Sequence, residues 1–137
     1  NDVSGFVDSK MIDLAIKKEC GVIVMHRNPV SENIHQKADY DDVVDQVNTH
    51  LIIQTENLIE KGVNRSQIAV DPGLGFGKKM EDSKELFFNL HNLINTYPIV
   101  VGYSRKKFTD QLNMRNNEMI DHCFDSGVDL LRLHLDN

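Results

Sequence analysis

Short apolar runs alternate with amphipathic segments along nearly the whole chain, and this alternation limits the folds open to it. Unbroken apolar runs are typical of strands buried on both faces of a parallel sheet, whereas apolar residues three and four apart indicate helices. No hairpin signal such as Asn-Gly separates two short strands. Strict alternation therefore predicts a parallel sheet with helical crossovers. The predicted strands are Val22–Met25, Ile68–Val70, Pro98–Val101 and Val128–Arg132, preceded by a strand end at Asn1–Val3.

The predicted helices fill the intervals between these strands. They carry apolar residues at helical spacing, and the first two can be capped by acidic or hydroxyl side chains and end at a glycine. The predicted helices are Ser9–Cys20, Asp41–Lys61, Ser83–Thr96, a short one starting near Arg105, and Asn117–Ser126, with a polar loop over His26–Tyr40.

The number of units favours part of a barrel. A complete (β/α)8 TIM barrel usually needs about 250 residues, and 137 residues with about five strands supply a little over half of one. A small open doubly wound sheet is the alternative, since no internal repeat decides between them. We predict one α/β domain over residues 1–137, folded as a partial TIM barrel.

Charge and composition exclude several partners. The chain has 15 basic and 21 acidic residues, a net charge of −6, and no basic run longer than Arg105–Lys107. This balance argues against nucleic acid and against an anionic membrane as partner. No apolar stretch approaches the ~20 residues of a membrane helix and no signal peptide opens the chain, so we expect a cytoplasmic protein. Cys20 and Cys123 are expected to be reduced thiols.

A glycine-rich loop follows the second full strand. Its glycines tolerate positive φ, so the backbone turns sharply after Asp71, which stands where the strand stops. Asp71 either fixes the N–H groups of a ligand or stabilises the turn, as Asx residues commonly do. The glycine spacing matches neither G-x-G-x-x-G nor a Walker loop. The tract reads Asp71-Pro72-Gly73-Leu74-Gly75-Phe76-Gly77-Lys78.

Two further strand ends carry cations. Lys106 follows the third strand, where a helix start would add free amides suited to an anion, although a solvated basic face is the alternative. Arg132 and His134 alternate at strand spacing and should project to the same side, where they suit a phosphate or pyrophosphate. The alternative for Arg132 is an ion pair with Asp129 or Asp136.

Other chemistry finds little support. The histidines form no H-E-x-x-H or other zinc pattern, so we predict no metal ligands in this chain. Neither cysteine has a visible base partner, and no G-x-S-x-G motif surrounds Ser104, so covalent catalysis is not supported.

The strand-end tracts together resemble the dihydropteroate synthase family. The match covers essentially the whole chain in the right order. Its most specific parts are the glycine-rich tract and the Gly-x-Ser-Arg-Lys tract. The matching tracts are Asn1-Asp2-Val3-Ser4-Gly5, Val24-Met25-His26, Asp71–Lys78, Val101–Lys107 and Arg132-Leu133-His134.

The resemblance implies a TIM-barrel transferase, of which this chain would be the C-terminal part without the N-terminal strands and the final helix. Such an enzyme joins 7,8-dihydropterin pyrophosphate to p-aminobenzoate in folate biosynthesis, releases pyrophosphate, and is the target of sulfonamides. The resemblance also implies Mg²⁺ as cofactor, with no ligand for it in this chain, and a homodimer when the protein is intact.

The resemblance further implies roles for individual residues. A carboxylate and an amide suit the donors and acceptors along a pterin edge. The reaction would be a dissociative substitution in which a neutral arylamine attacks, so no protein nucleophile is needed. The implied pterin contacts are Asn1, Val3, Met25, Asp71, Gly102 and Lys106; Arg132 and His134 would hold pyrophosphate, Ser104 and Phe76 would border p-aminobenzoate, and the catalytic set would be Lys106, Asp71, Arg132 and His134.

Two other functions stay open. The first is a non-catalytic pterin-binding or assembly subunit, against which the presence of Lys106, Arg132 and His134 argues. The second is the methyltetrahydrofolate-binding domain of a corrinoid methyltransferase. That domain handles a methyl group and has no pyrophosphate to bind, so the Gly102–Lys106 tract argues against it.

Overall fold

A computed structural model describes residues 1–28 and 38–134 of the chain. Within these residues, four strands alternate with four α-helices, as the sequence predicts, and short 3-10 helices occupy some of the connections. Much of the predicted polar loop 26–40 lies outside the described residues. The helices are α1 (Ser9–Lys18), α2 (Val43–Glu60), α3 (Met80–Phe88) and α4 (Asn116–Asp125); the strands are β1 (Val22–Met25), β2 (Ile68–Asp71), β3 (Val100–Val101) and β4 (Leu130–Leu131).

The strands lie side by side in the order in which the chain makes them. β1 pairs with β2 in parallel, and β3 pairs with β4 in parallel. Single parallel bridges join Asp2 to Val24 and Val70 to Ile99, which extend this order from the N-terminal segment through to β4. A doubly wound sheet reverses its strand order at a switch point, whereas a barrel does not. The topology therefore decides for the barrel.

The core lies between the strands and the helices that cross over them. Val24, Val70 and Val101 of the sheet are completely buried, and Leu51 of α2 and Leu86 of α3 pack into the same cluster. These residues are the apolar positions that the strand runs and the helical spacing single out. None of the helices within residues 1–28 and 38–134 is long and apolar enough to cross a membrane.

The helix boundaries follow local capping. Asp8 accepts a hydrogen bond from Lys10 N–H at the start of α1, and Asp42 accepts one from Asp45 N–H at the start of α2. α1 ends where Glu19 adopts a left-handed conformation with φ of 50°. These two helices agree with the predicted ranges to within two residues.

The prediction of a single helix over Ser83–Thr96 is wrong. α3 begins earlier, at Met80, where the Asp82 carboxylate accepts a hydrogen bond from Lys79 N–H. It ends at Phe88, because Asn89 leaves the helical conformation and donates its side-chain amide to the carbonyl of Glu85. A 3-10 turn at Leu90–Asn92 then buries Leu90. The leucine spacing continues through this turn and therefore mimics one long helix.

Two smaller predictions also need correction. The short helix predicted near Arg105 is a 3-10 helix at Lys107–Gln111, which begins after Arg105 because that residue has φ of 60°. The last strand covers only Leu130–Leu131 rather than Val128–Arg132. Its start is taken by the end of α4, since Val128 N–H donates to the carbonyl of Cys123. Cys123 is buried and Cys20 exposed, and both are free.

Candidate functional site

The predicted site residues stand at the carboxyl ends of the parallel strands. Met25 at the end of β1 is in register with Asp71 at the end of β2. Asn1 reaches the same place, because the N-terminal segment pairs beside β1, and its side-chain amide lies 3.3 Å from Oδ2 of Asp71. Parallel strands end at one edge of a sheet, and in such folds ligands bind at this edge.

Asp71 stabilises the turn that follows β2, and its second carboxylate oxygen faces Asn1. Its Oδ1 accepts a hydrogen bond of 2.8 Å from Gly73 N–H, which is the Asx turn. Its Oδ2 points the other way and accepts from Asn1. The residue is only 4% exposed. A buried carboxylate with one oxygen engaged in the turn keeps acceptor capacity on the other for a ligand's N–H groups.

The glycine loop approaches β1 more closely than a side chain allows. Gly73 has φ of 65°, and a Cβ on it would lie 2.1 Å from the carbonyl oxygen of His26. Gly75 also has a positive φ, and a Cβ there would lie 3.1 Å from Cδ of Lys106. Glycine at these two positions therefore lets the loop close over the strand ends.

Lys106 enters the site from the turn after β3. Its ammonium donates to the carbonyl oxygen of Leu74 and lies 4.4 Å from the centre of the Phe76 ring, a cation–π contact. Burial lowers the pKa of Lys106 to about 8; the Asp71 carboxylate opposes this change, and the cation of Arg132 adds to it. Lys106 therefore interacts electrostatically with both the Asp71 carboxylate and the Arg132 guanidinium.

Arg132 lies against a glycine of the neighbouring strand end. A Cβ on Gly102 would be 3.3 Å from both Nε and one terminal nitrogen of the Arg132 guanidinium. Within the described residues, Arg132 forms no ion pair with Asp129. The Asp129 carboxylate instead accepts a hydrogen bond from Ile99 N–H. Asp136, the other suggested partner, lies outside the described residues.

His134 lies beside Ser104. The backbone N–H of His134 donates to the Ser104 hydroxyl over 3.2 Å. Arg132 and His134 are both more exposed to solvent than the core, while Leu131 and Leu133 pack partly against it. This alternation agrees with the prediction that the Arg and His side chains project to the same side.

A cavity of about 410 Å³ opens beside the glycine loop. Phe76 and Phe108 give it aromatic surface, and Lys106 and Lys107 give it positive charge. Such a lining suits a flat aromatic molecule that carries an anionic group. The family resemblance implies that Ser104 and Phe76 both border p-aminobenzoate. Phe76 lines this cavity, but Ser104 does not. The remaining lining residues are Gly75, Lys78, Met80 and Ser83.

The predicted pterin contacts Met25 and Val3 differ in environment. Met25 is 1% exposed, and its Cγ lies close to the backbone of Gly73 beneath the strand ends. Val3 is 40% exposed in a turn where the Asp2 carboxylate accepts hydrogen bonds from Ser4 and Phe6. Their contacts with a pterin stay predictions.

Sequence reasoning assigned no role to one buried group in the site. Lys78 is 4% exposed, and its ammonium lies 2.8 Å from Nδ1 of His26. Burial lowers the pKa of Lys78 to about 7, an effect that the Asp71 carboxylate opposes. A lysine directly after a glycine loop ordinarily points to solvent. The burial of Lys78 and its contact with His26 are therefore seen only in the tertiary structure.

The described residues offer no metal cluster. Within residues 1–28 and 38–134, no group of three or more His, Cys, Asp or Glu side chains could hold a metal ion.

Similarity to known proteins agrees with this geometry. A family model described as pterin binding enzyme matches residues 1–134. The dihydropteroate synthase of Streptococcus pyogenes is 30% identical over 147 residues, which cover 98% of this chain and 52% of that protein. The chain thus spans about half the length of this relative.

Solved structures of dihydropteroate synthases also resemble this chain in fold. A dihydropteroate synthase of Thermus thermophilus, in complex with 6HMPPP, gives a TM-score of 0.85 at 32% identity and covers 98% of this chain and 57% of that one. The dihydropteroate synthase of Xanthomonas albilineans with 4-aminobenzoic acid gives 0.84 at 26% identity, covering 98% and 50%. The fold is therefore part of a TIM barrel. The chain belongs to the family of pterin-binding enzymes, and the relatives it matches there are dihydropteroate synthases.

Proposed function

We propose that the protein containing this chain is a dihydropteroate synthase. It would condense 7,8-dihydropterin pyrophosphate with p-aminobenzoate to give 7,8-dihydropteroate and pyrophosphate in folate biosynthesis. One observation carries the proposal: Asn1, Asp71 and Lys106 meet at the strand ends beside the Arg132 guanidinium. Solved relatives hold 6HMPPP and 4-aminobenzoate, the two kinds of substrate required.

The pterin would bind across the Asn1–Asp71 pair. Oδ2 of Asp71 has acceptor capacity for the amino and ring N–H groups of the pterin, and the Asn1 amide has a donor and an acceptor for its remaining edge. Lys106 would donate to the ring's oxo group. Leaving any of these buried groups unpaired costs about 1–3 kcal/mol, so the pocket would reject rings without this pattern.

The pyrophosphate would lie toward Arg132 and His134. Arginine binds phosphate oxygens in a bidentate manner, and its positive charge stabilises the negative charge that develops as the C–O bond to pyrophosphate breaks. The amine nitrogen of p-aminobenzoate then forms the new C–N bond and loses a proton. Phe76 would border the arylamine in the 410 Å³ cavity, where Lys107 would lie toward its carboxylate.

Three further features belong to this proposal. Mg²⁺ is proposed as the cofactor, although the described residues supply no ligand cluster for it. We also propose that the intact protein is a cytoplasmic homodimer. Sulfonamides, as analogues of p-aminobenzoate, should compete for the cavity beside Phe76.

The decisive experiment measures pyrophosphate release by the full-length protein with both substrates and magnesium. Release that requires p-aminobenzoate supports a synthase. Tight binding of the pterin pyrophosphate without release would instead indicate a non-catalytic pterin-binding subunit. Binding of methyltetrahydrofolate but not of the pterin pyrophosphate would indicate the domain of a methyltransferase.

A further inference from the structure

The ammonium of Lys78 ties the glycine loop to the end of β1. It lies 2.9 Å from the carbonyl oxygen of Gly73, 3.3 Å from that of Phe76 and 2.8 Å from Nδ1 of His26. Three acceptors match the three N–H groups of an ammonium. A buried side chain with this set of partners crosslinks two segments that are 52 positions apart in sequence.

The segment that Lys78 holds lies outside the sheet. Asp71 is fixed by its register with Met25 and by the hydrogen bond of 2.8 Å from His26 N–H to its carbonyl. Beyond Asp71, Gly75 N–H donates to the Ser83 hydroxyl and Phe76 N–H to the carbonyl of Gly73. Loss of Lys78 should therefore disturb the loop 73–76 more than it disturbs Asp71.

We propose that Lys78 is a positioning residue that holds the loop 73–76 against β1 and thereby orients Phe76 toward the cavity. The inference rests on the proposed function, since there Phe76 borders p-aminobenzoate. Lys78 does not contact the reacting atoms in this proposal; it acts through Phe76 and the loop backbone.

The crosslink also determines the tautomer of His26. A charged Lys78 donates to Nδ1, so the imidazole proton must sit on Nε2. Burial, together with the charge of Lys78, lowers the pKa of His26 to about 2 and keeps the ring neutral. When Lys78 loses a proton, we expect its two N–H groups to serve the carbonyls and its lone pair to accept from Nδ1–H, because this arrangement keeps all three contacts. Release of one proton therefore accompanies transfer of the ring proton from Nε2 to Nδ1.

Charged and titratable groups surround the pair on several elements. His50 of α2 packs edge-on against His26, with ring centres 4.8 Å apart. Asp71 and Asp82 favour the charged form of Lys78, and Lys106 disfavours it. With burial, these effects bring the pKa of Lys78 to about 7, where both arrangements are populated near neutral pH.

The test compares Lys78→Met with Lys79→Met in the full-length protein. Lys79 is the adjacent lysine, but it is about half exposed and pairs with Asp39, so this control removes the same charge. We expect Lys78→Met to raise the KM for p-aminobenzoate between about tenfold and about a hundredfold. The dissociation constant of the pterin pyrophosphate and all constants of Lys79→Met should change less than about twofold. Equal constants in the two variants would overturn the proposal.

Two measurements do not depend on activity. Amide hydrogen exchange at Gly75 and Phe76 should accelerate in Lys78→Met and stay unchanged in Lys79→Met. Nitrogen-15 NMR of the wild-type imidazole should find the Nε2–H tautomer below about pH 6 and the Nδ1–H tautomer above about pH 8. If Lys78→Met does not fold, this NMR measurement decides, and a ring with Nδ1–H below about pH 6 overturns the proposal.

The measurements distinguish a failure of the proposed synthase function from a failure of the proposed role of Lys78. A wild-type protein without synthase activity would refute the proposed function, whereas hydrogen exchange and the His26 tautomer would still test how Lys78 holds the loop. Synthase activity with unchanged loop exchange in Lys78→Met would refute the role of Lys78 alone.

Discussion

The side-chain amide of Asn1 and Oδ2 of Asp71 lie 3.3 Å apart although 70 positions separate them in the sequence. The contact exists because the N-terminal segment pairs with β1 and β1 pairs with β2 in parallel. It brings an amide and a carboxylate together at one edge of the sheet. The proposed pterin site is built around this pair.

Asp71→Asn should weaken pterin binding strongly while the fold persists. The new amide oxygen still accepts from Gly73 N–H, but the new NH₂ group faces the Asn1 amide and the N–H donors of the ligand. Two unpaired donors at about 1–3 kcal/mol each predict an affinity loss of roughly a hundredfold. Isothermal titration of the pterin pyrophosphate measures it, with the exposed Asp13→Asn as control. Unchanged affinity would refute the role of Asp71.

Gly102→Ala should impair recognition of the pyrophosphate. The added Cβ would lie 3.3 Å from two nitrogens of Arg132, so the guanidinium would have to shift by a few tenths of an ångström. Because the resemblance also places Gly102 beside the pterin, both ligands can lose affinity, but the pyrophosphate-bearing pterin should lose about 1 kcal/mol or more beyond the loss for the bare pterin. Arg132→Ala should show the same selectivity with a larger loss. If both pterins lose affinity equally, the arginine has a structural role instead.

Gly73→Ala should destabilise the fold. Its φ of 65° strains an L-residue, and its Cβ would lie 2.1 Å from the carbonyl oxygen of His26. We expect a loss of about 2 kcal/mol or more in the free energy of unfolding, measured by urea denaturation. The matched control is Gly21→Ala, where the nearest atom lies 3.8 Å away and φ is not positive. A similar small effect in both variants would contradict the close approach.

The free energy of unfolding should rise as pH increases from about 7 toward about 10. Burial lowers the pKa of Lys78 to about 7 in the fold, below its ordinary value of 10.5. Between these values the unfolded chain binds the extra proton, so a higher pH favours the folded state, and below about pH 7 this contribution is lost. Lys106, with a pKa of about 8, acts in the same direction.

Urea denaturation at about pH 7 and about pH 9 checks this dependence. Lys78 should contribute up to about 1.4 kcal/mol per pH unit across that interval, and Lys78→Met should therefore show a smaller rise than wild type. The surface variant Lys79→Met should retain the wild-type rise. The same rise in wild type and Lys78→Met would show that Lys78 titrates at its ordinary pKa.

Several parts of the fold and site follow from local patterns. The order of strands and helices, the turn after Asp71 and the polar character of the strand ends depend on spacing, capping and glycine conformation, which neighbours in sequence decide. Local patterns failed between Ser83 and Thr96, because a 3-10 turn repeats the leucine spacing of a helix. Near Arg105 they predict a short helix but not its type or its start, because the left-handed φ of Arg105 delays a 3-10 helix to Lys107.

Patterns within the sequence were enough to predict the α/β class and to single out Asp71, Lys106, Arg132 and their neighbours as candidate ligand contacts. Only the tertiary structure decided the barrel order of the strands, the pairing of Asn1 with Asp71, and the burial of Lys78 against His26. The physical reason is that hydrogen bonds and pKa values at the site depend on groups brought together by parallel pairing over tens of residues. Periodicity within a segment carries no information about which distant segment will lie beside it.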